Sequence, residues 1–310
     1  MNIAFVFPGQ GSQSVGMMSD LYEKFEIVRD TFGEASQALG KDLWALVSQG
    51  PEDELNQTHN TQPAMLVSGV ACWRAWQEQG GVNASFLAGH SLGEYSALTC
   101  AGVIDLPDAV KLVARRGELM QSAVPAGVGA MAAILGLDDD AVREVCTQSA
   151  AGQVLQAVNY NSPGQVVIAG HAEAVDRAID NAKGAGAKRA LKLPVSVPSH
   201  CDLMKPAAEK LDEYMHSLAF QEPVTPVIHN VSAAIAATAD IRQALVEQLY
   251  RPVLWVDSVN AMKAQGVTHI IEMGPGKVLT GLLKRIDKSV TTLPVFDSTS
   301  LEKALLETKE

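Results

Sequence analysis

Residues 87–95 read Leu-Ala-Gly-His-Ser-Leu-Gly-Glu-Tyr, which places Ser91 between Gly89 and Gly93. A short apolar stretch precedes this Gly-x-Ser-x-Gly motif and a helical pattern follows it, so the motif is expected on a sharp turn from strand to helix. Flanking glycines remove side chains that would clash in such a turn, and the serine hydroxyl then projects from the top of a sheet. The pattern predicts either a reactive Ser91 or, more simply, a glycine-rich helix start with Ser91 as its N-cap.

Length, composition and charge limit the classes of protein to consider. The 310 residues are 47% hydrophobic, enough for a sizeable core in one large domain or two smaller ones. A formal net charge of −11 argues against nucleic acid as a partner. No apolar run approaches the ~20 residues of a membrane-spanning helix, so no membrane partner is expected. The N-terminus lacks a basic signal-peptide start and the four cysteines lack paired spacing, so we expect a cytoplasmic protein with reduced thiols.

Apolar periodicity predicts an α/β fold with a mainly parallel sheet. Residues 2–7 and 86–88 are short apolar stretches, as expected of buried strands. Apolar residues recur in steps of three and four over 21–39, which predicts one long helix. A further helix is expected to open at Thr61, with Pro63 in its first turn. Because strands alternate with helices along the chain, the sheet is expected to carry helices on both faces.

The stretch 125–197 has a different order of predicted strands and helices and is expected to form an inserted subdomain. It reads strand, helix, strand, strand, helix, strand, the βαββαβ order of ferredoxin-like folds. The predicted elements are strands at 129–135, 154–159, 165–170 and 188–195 and helices at 138–150 and 172–185. The two flanking stretches, 1–124 and 198–310, are then expected to form the larger α/β domain.

A reactive Ser91 needs a base within hydrogen-bond reach, and histidine titrates in the useful pH range. The histidines after the motif are His171, His200, His216, His229 and His269. His200 ends the loop Val-Pro-Ser-His after an apolar strand, where an α/β scaffold commonly presents a catalytic histidine. A structural loop histidine is the alternative, and no acidic partner stands out. Cys201 follows directly, but adjacent side chains in extended backbone point apart, which argues against a Cys–His pair.

A predicted helix over 107–121 carries an arginine on its apolar side. Its polar stripe includes Arg115 and Glu118, whereas Arg116 lies in line with Leu112 and Leu119. A guanidinium on an apolar stripe stays charged and must meet an anion. That anion is either a structural Asp or Glu or the carboxylate of a substrate, held by two parallel hydrogen bonds.

Other motifs do not support nucleotide or metal chemistry. Gly9 and Gly11 follow the first strand, but Ser14 occupies the third glycine position of a dinucleotide-binding motif. The stretch 274–277, Gly-Pro-Gly-Lys, lacks the spacing of a phosphate loop because Ile271 stands where its first glycine belongs. No His-Glu-x-x-His motif and no paired cysteines occur, so a metal site is not predicted.

Three ordered blocks of the sequence resemble the signature blocks of bacterial malonyl-CoA:acyl-carrier-protein transacylases. They are Phe-Val-Phe-Pro-Gly-Gln-Gly-Ser-Gln at 5–13, Gly-His-Ser-Leu-Gly-Glu-Tyr-Ser-Ala at 89–97 and Pro-Ser-His at 198–200. The resemblance also includes 61–64 and 274–276 and runs from the first strand to about residue 286. The stretch 232–242 and the tail after Asp287 match only loosely.

The resemblance implies catalytic roles for matching positions. Ser91 would be the nucleophile and His200 its base, while the backbone N–H groups of Gln10 and Leu92 would form the oxyanion hole. Gln248 would orient His200 through its backbone carbonyl, in place of the usual carboxylate. The implied fold is a hydrolase-like α/β catalytic core that carries a ferredoxin-like insertion, in agreement with the pattern above.

The resemblance also implies the substrates. Arg116 would bind the malonyl carboxylate, and the malonyl group would pass from coenzyme A to the phosphopantetheine thiol of acyl carrier protein, in fatty acid biosynthesis. Both thioester carriers are substrates, so no cofactor is implied. A serine thioesterase or hydrolase that uses the same motif is the alternative activity.

Overall fold

A computed structural model describes residues 1–195 and 197–309 of the chain. The strands of this part are β1 (Ile3–Phe7), β2 (Phe86–Gly89), β3 (Gly129–Leu135), β4 (Leu155–Ser162), β5 (Gln165–His171), β6 (Arg189–Lys192), β7 (Val227–Ile228), β8 (His269–Met273) and β9 (Thr291–Val295). The helices are α1 (Ser19–Lys24), α2 (Glu26–Leu39), α3 (Leu43–Gln49), α4 (Glu52–Leu55), α5 (Thr58–Glu78), α6 (Gly93–Cys100), α7 (Leu106–Ser122), α8 (Asp139–Ala150), α9 (Ala172–Gly184), α10 (Lys205–Met215), α11 (Thr238–Gln248), α12 (Trp255–Ala264), α13 (Val278–Ile286) and α14 (Ser298–Glu307).

The larger sheet has five strands in the order β7-β2-β1-β8-β9, and all four strand pairs are parallel. Every residue of the central strand β1 is buried. Ile3, Phe5 and Phe7 face one apolar cluster, whereas Ala4 and Val6 face another on the opposite side of the sheet. Both faces are therefore covered, as parallel sheets require. The predicted α/β fold with a mainly parallel sheet is confirmed.

The smaller sheet has four strands in the order β4-β5-β3-β6, all paired antiparallel. Along the chain its elements run β3, α8, β4, β5, α9, β6. Residues of α8 and α9 pack with one face of this sheet, for example Val142 and Val175 against Ile134. The opposite face, which includes Met131, packs around Cys201 and so lies against the larger unit.

Strand β6 is shorter than predicted, because it ends at Lys192 and not at Val195. One further backbone hydrogen bond joins the Leu193 N–H to the Met131 carbonyl, at 2.9 Å. Pro194 follows and has no N–H to donate, so the ladder stops there. Ser196, within the predicted subdomain range 125–197, lies outside the described residues.

Two predicted helices have different bounds in the structure. The apolar pattern over 21–39 spans α1 and α2, which are separated by Phe25 in extended conformation (φ −117°, ψ 122°). Periodicity did not reveal this break because apolar side chains stay buried on both sides of it. Helix α5 begins at Thr58, so Pro63 lies in its second turn and not near its start. The buried polar residues of that first turn hid the true beginning of the helix.

Close backbone approaches fix the turn from β2 to α6. A Cβ atom on Gly93 would overlap the carbonyl oxygen of Phe7, and one on Gly89 would overlap the backbone of Gly93. A Cβ on Gly9 would lie 2.6 Å from the His90 carbonyl oxygen. Only glycine fits at these positions, so the loop after β1 and the turn after β2 lie directly against each other.

In the described ranges, no helix has the length and apolar character that crossing a membrane requires.

We expect Gly93→Ala to lower the free energy of unfolding by about 1–3 kcal/mol or more, because its methyl group meets rigid backbone. Gly33→Ala is the matched control, since Gly33 also lies in a helix but a Cβ there meets no atom within 4 Å. The control should be neutral or stabilising by up to about 1 kcal/mol. Urea unfolding of both variants measures the difference, and equal stabilities would contradict the packing described here.

Candidate active site

Ser91 lies at the turn between β2 and α6 with a positive φ of 53°. Non-glycine residues rarely adopt this left-handed conformation, and those that do cluster at functional sites. Its Oγ atom lies 2.7 Å from Nε2 of His200. The structure therefore brings together the predicted serine and histidine, which are 109 residues apart in the chain.

His200 is held at both its backbone and its ring. Its φ is also positive, at 65°, and its backbone N–H donates to the Leu249 carbonyl at 2.9 Å. Its Nδ1 atom lies 2.6 Å from the backbone carbonyl oxygen of Gln248. A carbonyl oxygen can only accept, so Nδ1 carries the proton and Nε2 is left to accept from the Ser91 hydroxyl.

The environment of His200 disfavours its charged form. The residue is buried, and this burial lowers the pKa of His200 to about 3, with the nearby Arg116 charge as the second cause. The hydrogen bond to Gln248 acts in the opposite direction but is the weaker influence. The imidazole is therefore neutral at physiological pH, the state in which it can accept a proton.

Arg116 is 1% exposed and lies on the buried side of α7, as its helical phase predicts. Its neighbour Arg115 is on the exposed side and pairs with Glu118 at 3.0 Å. Gly117 explains how the arginine reaches the site, because a Cβ there would lie 2.6 Å from Cα of His59. Helix α7 can therefore lie against the start of α5, where Gln62 is found.

The partners of the Arg116 guanidinium are neutral. One terminal nitrogen donates to Oε1 of Gln62 at 2.8 Å, and the other donates to Oε1 of Gln248 at 3.0 Å. Among the described residues, Nε of Arg116 has no hydrogen-bond partner and no Asp or Glu forms a salt bridge with the guanidinium. The ring of Tyr95 lies 5.2 Å from the guanidinium carbon. Amide oxygens orient this cation, and the charge of Glu94, which forms no salt bridge with it, favours its charged form.

Gln10 and Leu92 lie where the loop after β1 meets the turn after β2. Gln10 follows Gly9, and a Cβ on Gly9 would lie 3.8 Å from the Leu92 backbone nitrogen. Leu92 is the N-cap of α6. Within the described part of the chain, neither the Gln10 nor the Leu92 backbone N–H donates a hydrogen bond. In this part of the chain, both N–H groups are therefore without an acceptor.

The other histidines and Cys201 have different partners. Nδ1 of His229 lies 2.7 Å from the Glu94 carboxylate, and Nδ1 of His171 accepts from the Val154 N–H. His216 and His269 bond to residues of their own segments. Cys201 donates to the Pro198 carbonyl, and burial raises the pKa of its thiol to about 12. The residues described contain no cluster of His, Cys, Asp or Glu suited to a metal ion.

Three buried residues of the site were not predicted: Gln62, Glu94 and Asn230. Nδ2 of Asn230 donates to the Gly89 carbonyl at 2.6 Å, and its Oδ1 accepts from the Ser91 N–H at 2.8 Å. Gln62 and Glu94 lie within sequence blocks that carry the resemblance, which was the available signal. Asn230 follows a histidine that is buried with it, but residue type alone gave no indication of its contacts.

Comparison with known proteins shows which family the chain belongs to. The profile of a family described as "Acyl transferase domain" matches residues 4–301. A malonyl CoA-acyl carrier protein transacylase of Escherichia coli K12 is 59% identical over 303 residues, which cover 97% of this chain and 98% of the relative. A crystal structure of an acyl carrier protein S-malonyltransferase from Vibrio cholerae superposes with a TM-score of 0.96 at 57% identity, covering 98% of this chain and 100% of that one.

A further solved structure is described as a type II PKS acyl-carrier protein in complex with its malonyl-transacylase. It matches with a TM-score of 0.98 and 56% identity over 99% of this chain and 100% of that one. The extent of these matches places the chain in the acyl transferase domain family. Within that family, it belongs to the malonyl CoA-acyl carrier protein transacylases.

We expect the His200 imidazole to stay neutral at about pH 5, where an ordinary histidine with a pKa near 6.5 is mostly protonated. Nitrogen chemical shifts of the ring, followed by NMR during acidification, measure this state. In Arg116→Met the pKa of His200 should rise, because a neighbouring positive charge is removed. Titration of His200 near its ordinary pKa in the unmodified protein would contradict the burial described above.

Proposed function

We propose that the chain moves a malonyl group from coenzyme A to the phosphopantetheine thiol of acyl carrier protein, through an ester on Ser91. The single observation that carries this proposal is the 2.7 Å contact of Ser91 Oγ with a neutral, buried His200, next to an Arg116 that forms no salt bridge among the described residues. The same activity appears in the names of the relatives. Two half-reactions on one serine make the exchange ping-pong.

In the first half-reaction, His200 Nε2 takes the proton of the Ser91 hydroxyl. The oxygen then attacks the thioester carbonyl of malonyl-CoA and forms a tetrahedral oxyanion. When the carbon–sulfur bond breaks, the coenzyme A thiolate leaves and takes up the proton from His200. The carbonyl of Gln248 holds the imidazole throughout, because it accepts the Nδ1 proton at 2.6 Å.

The oxyanion binds the backbone N–H groups of Gln10 and Leu92. Gly9, which precedes Gln10, lies against the backbone of His90 and Leu92, and neither N–H group donates to another acceptor among the described residues. Each such donor, when lost, costs about 3 kcal/mol of transition-state stabilisation. Their position depends on Gly9, which lets the two backbone segments approach each other.

Arg116 binds the free carboxylate of the malonyl group. Two amide oxygens hold its guanidinium in place, and no acidic side chain in the described part of the chain forms a salt bridge with it. A structural acid as its partner, the alternative that the sequence left open, has no support in these contacts. A carboxylate that enters this site gains a charge-assisted bond to a planar donor group.

The second half-reaction reverses the chemistry with a different thiol. The phosphopantetheine thiol gives its proton to His200, and the thiolate attacks the malonyl ester. The ester oxygen leaves, and Ser91 recovers its proton from His200. A hydrolase would use water at this step, so the ratio of malonyl transfer to malonate release distinguishes the two activities.

The chain is proposed to consist of a catalytic core and an inserted subdomain. The smaller unit, within 125–197, is a ferredoxin-like subdomain, supported by its element order and by the sheet order β4-β5-β3-β6. The flanking stretches 1–124 and 198–310 form the hydrolase-like catalytic core.

The reaction needs no cofactor, because serine, histidine and backbone groups supply its chemistry. The enzyme is expected in the cytoplasm, where its thioester substrates and reduced thiols belong.

Incubation with malonyl-CoA alone should produce a malonyl adduct on Ser91, because the thiol that removes the group is absent. Intact-protein mass spectrometry followed by peptide mapping measures the adduct. Ser91→Ala should carry none, whereas Cys201→Ala should be labelled like the unmodified protein. An adduct that persists in Ser91→Ala, or one that maps to Cys201, would refute the assignment of the nucleophile.

Arg116→Ala should invert the acyl preference of the enzyme. Its loss leaves the malonyl carboxylate buried and unpaired, at a cost of about 2–5 kcal/mol in malonyl transfer. Acetyl-CoA has no carboxylate, so its transfer should hold or rise. Arg116→Lys should rescue malonyl transfer only in part, since a point charge cannot reproduce the planar donor pair.

Arg115→Ala is the matched control for this experiment, because that arginine is exposed on the same helix turn. Its acetyl-to-malonyl ratio should equal that of the unmodified enzyme. If Arg116 were only structural, both transfers would fall together with the melting temperature. An unchanged acetyl-to-malonyl ratio in Arg116→Ala would therefore refute carboxylate recognition by Arg116.

A further inference from the structure

Glu94 is a fully buried carboxylate in the first turn of α6, three residues after Ser91. Three donors converge on its two oxygens. Nδ1 of His229 lies 2.7 Å from Oε1, while the Asn230 backbone N–H (3.1 Å) and Nε2 of Gln248 (2.7 Å) donate to Oε2. A buried charge that is this well satisfied holds its partners in fixed orientations.

Two of these partners also bind the backbone of Ser91. The Asn230 side chain accepts from the Ser91 N–H at 2.8 Å and donates to the Gly89 carbonyl at 2.6 Å. The Gln248 side chain donates to the Ser91 carbonyl at 2.9 Å. Both polar backbone groups of Ser91 are thus tethered, one by Asn230, whose backbone N–H Glu94 binds, and one by the Gln248 side chain, which Glu94 orients. These tethers compensate the left-handed φ of Ser91.

Gln248 extends the same network to the two other groups of the site. Its backbone carbonyl accepts from Nδ1 of His200 at 2.6 Å, and its side-chain oxygen accepts from Arg116 at 3.0 Å. The orientation of this amide matters, because Nε2 must face Glu94 for Oε1 to face Arg116. A carboxylate at position 94 can only accept and therefore selects that orientation.

We infer that Glu94 is a positioning residue of the reaction, which fixes the serine, the histidine and the arginine relative to one another through Asn230 and Gln248. The inference rests on the proposed role of Ser91 as nucleophile. Glu94 does not contact the reacting atoms, so its contribution is alignment of Ser91 Oγ with His200 and not proton transfer.

Glu94→Gln tests this inference with the smallest change in shape. Glutamine has one acceptor oxygen in place of two. If its NH₂ group faces the Asn230 N–H and Nε2 of Gln248, donors oppose donors; if it faces Nδ1 of His229, that nitrogen must give up its proton in order to accept. The rate of Ser91 labelling by a fluorophosphonate measures the alignment. This probe forms an oxygen–phosphorus bond and releases fluoride, and it carries no carboxylate, so its rate does not depend on recognition by Arg116. A misplacement of the serine should slow labelling by about 10²-fold.

Glu272→Gln is the matched control. Glu272 is also fully buried, and its carboxylate accepts from the Leu279 and Thr280 N–H groups at 3.0 and 2.7 Å, at the start of α13. This substitution should lower the melting temperature and leave the labelling rate unchanged at a temperature where both variants are folded. Labelling as fast in Glu94→Gln as in the unmodified enzyme, or an equal loss in Glu272→Gln, would overturn the inference.

His229→Phe provides a second variant if Glu94→Gln does not fold. It keeps an aromatic ring of similar shape but removes the donor to Oε1 of Glu94, which frees the carboxylate to turn away from Gln248. Labelling should slow by about tenfold, because the Glu94 carboxylate loses one of the hydrogen bonds that fix its orientation. An unchanged rate would overturn the inference. If the unmodified enzyme were not labelled on Ser91, the proposed nucleophile itself would be refuted.

Discussion

A buried guanidinium that is held by amide oxygens, and that forms no salt bridge in the described part of the chain, is the constraint on which the site depends. Removing a charge from water is expensive, and dipoles of two glutamine side chains repay only part of that cost. Gln62 and Gln248 therefore orient Arg116 without neutralising it. In the proposed reaction a substrate carboxylate completes the pair, and acyl recognition then depends directly on the packing of α5 against α7. The absence of a side chain at Gly117 makes that packing possible.

The charge of Arg116 also influences His200. Burial and Arg116 together lower the pKa of His200, so the imidazole is neutral when substrate arrives. Its orientation comes from a backbone carbonyl, which adds no negative charge beside Arg116. If a carboxylate replaced the Gln248 carbonyl as the partner of His200, it would attract the Arg116 guanidinium and compete with the carboxylate of the substrate. In the proposed reaction, Arg116 can therefore bind a carboxylate and His200 can accept a proton although the two side chains are neighbours.

Much of the fold followed from sequence patterns, for physical reasons that also explain the errors. The strands over 129–135 and 165–170 were located well because buried strands are short, apolar and bounded by turns. Apolar periodicity does not detect the break at Phe25, because the apolar side chains on both sides of it are buried. The alternation of apolar residues up to Val195 predicts a longer strand than β6, which ends at Lys192, shortly before Pro194. Ser91 could be identified from the sequence because Gly89 and Gly93, on either side of it, are required by the close backbone packing of the turn. The hydrogen bonds of Glu94 and Asn230 could not be predicted, because they join segments that are more than a hundred residues apart in the chain.

The most direct measurement is a crystal structure of the enzyme with malonate esterified to Ser91. Both oxygens of the free carboxylate should lie about 3 Å from the Arg116 guanidinium, the ordinary length of a charge-assisted hydrogen bond. The ester carbonyl oxygen should lie at a similar distance from the N–H groups of Gln10 and Leu92, with Gln62 and Gln248 in their present positions. A carboxylate directed toward solvent, or one paired with a residue other than Arg116, would contradict the central claim.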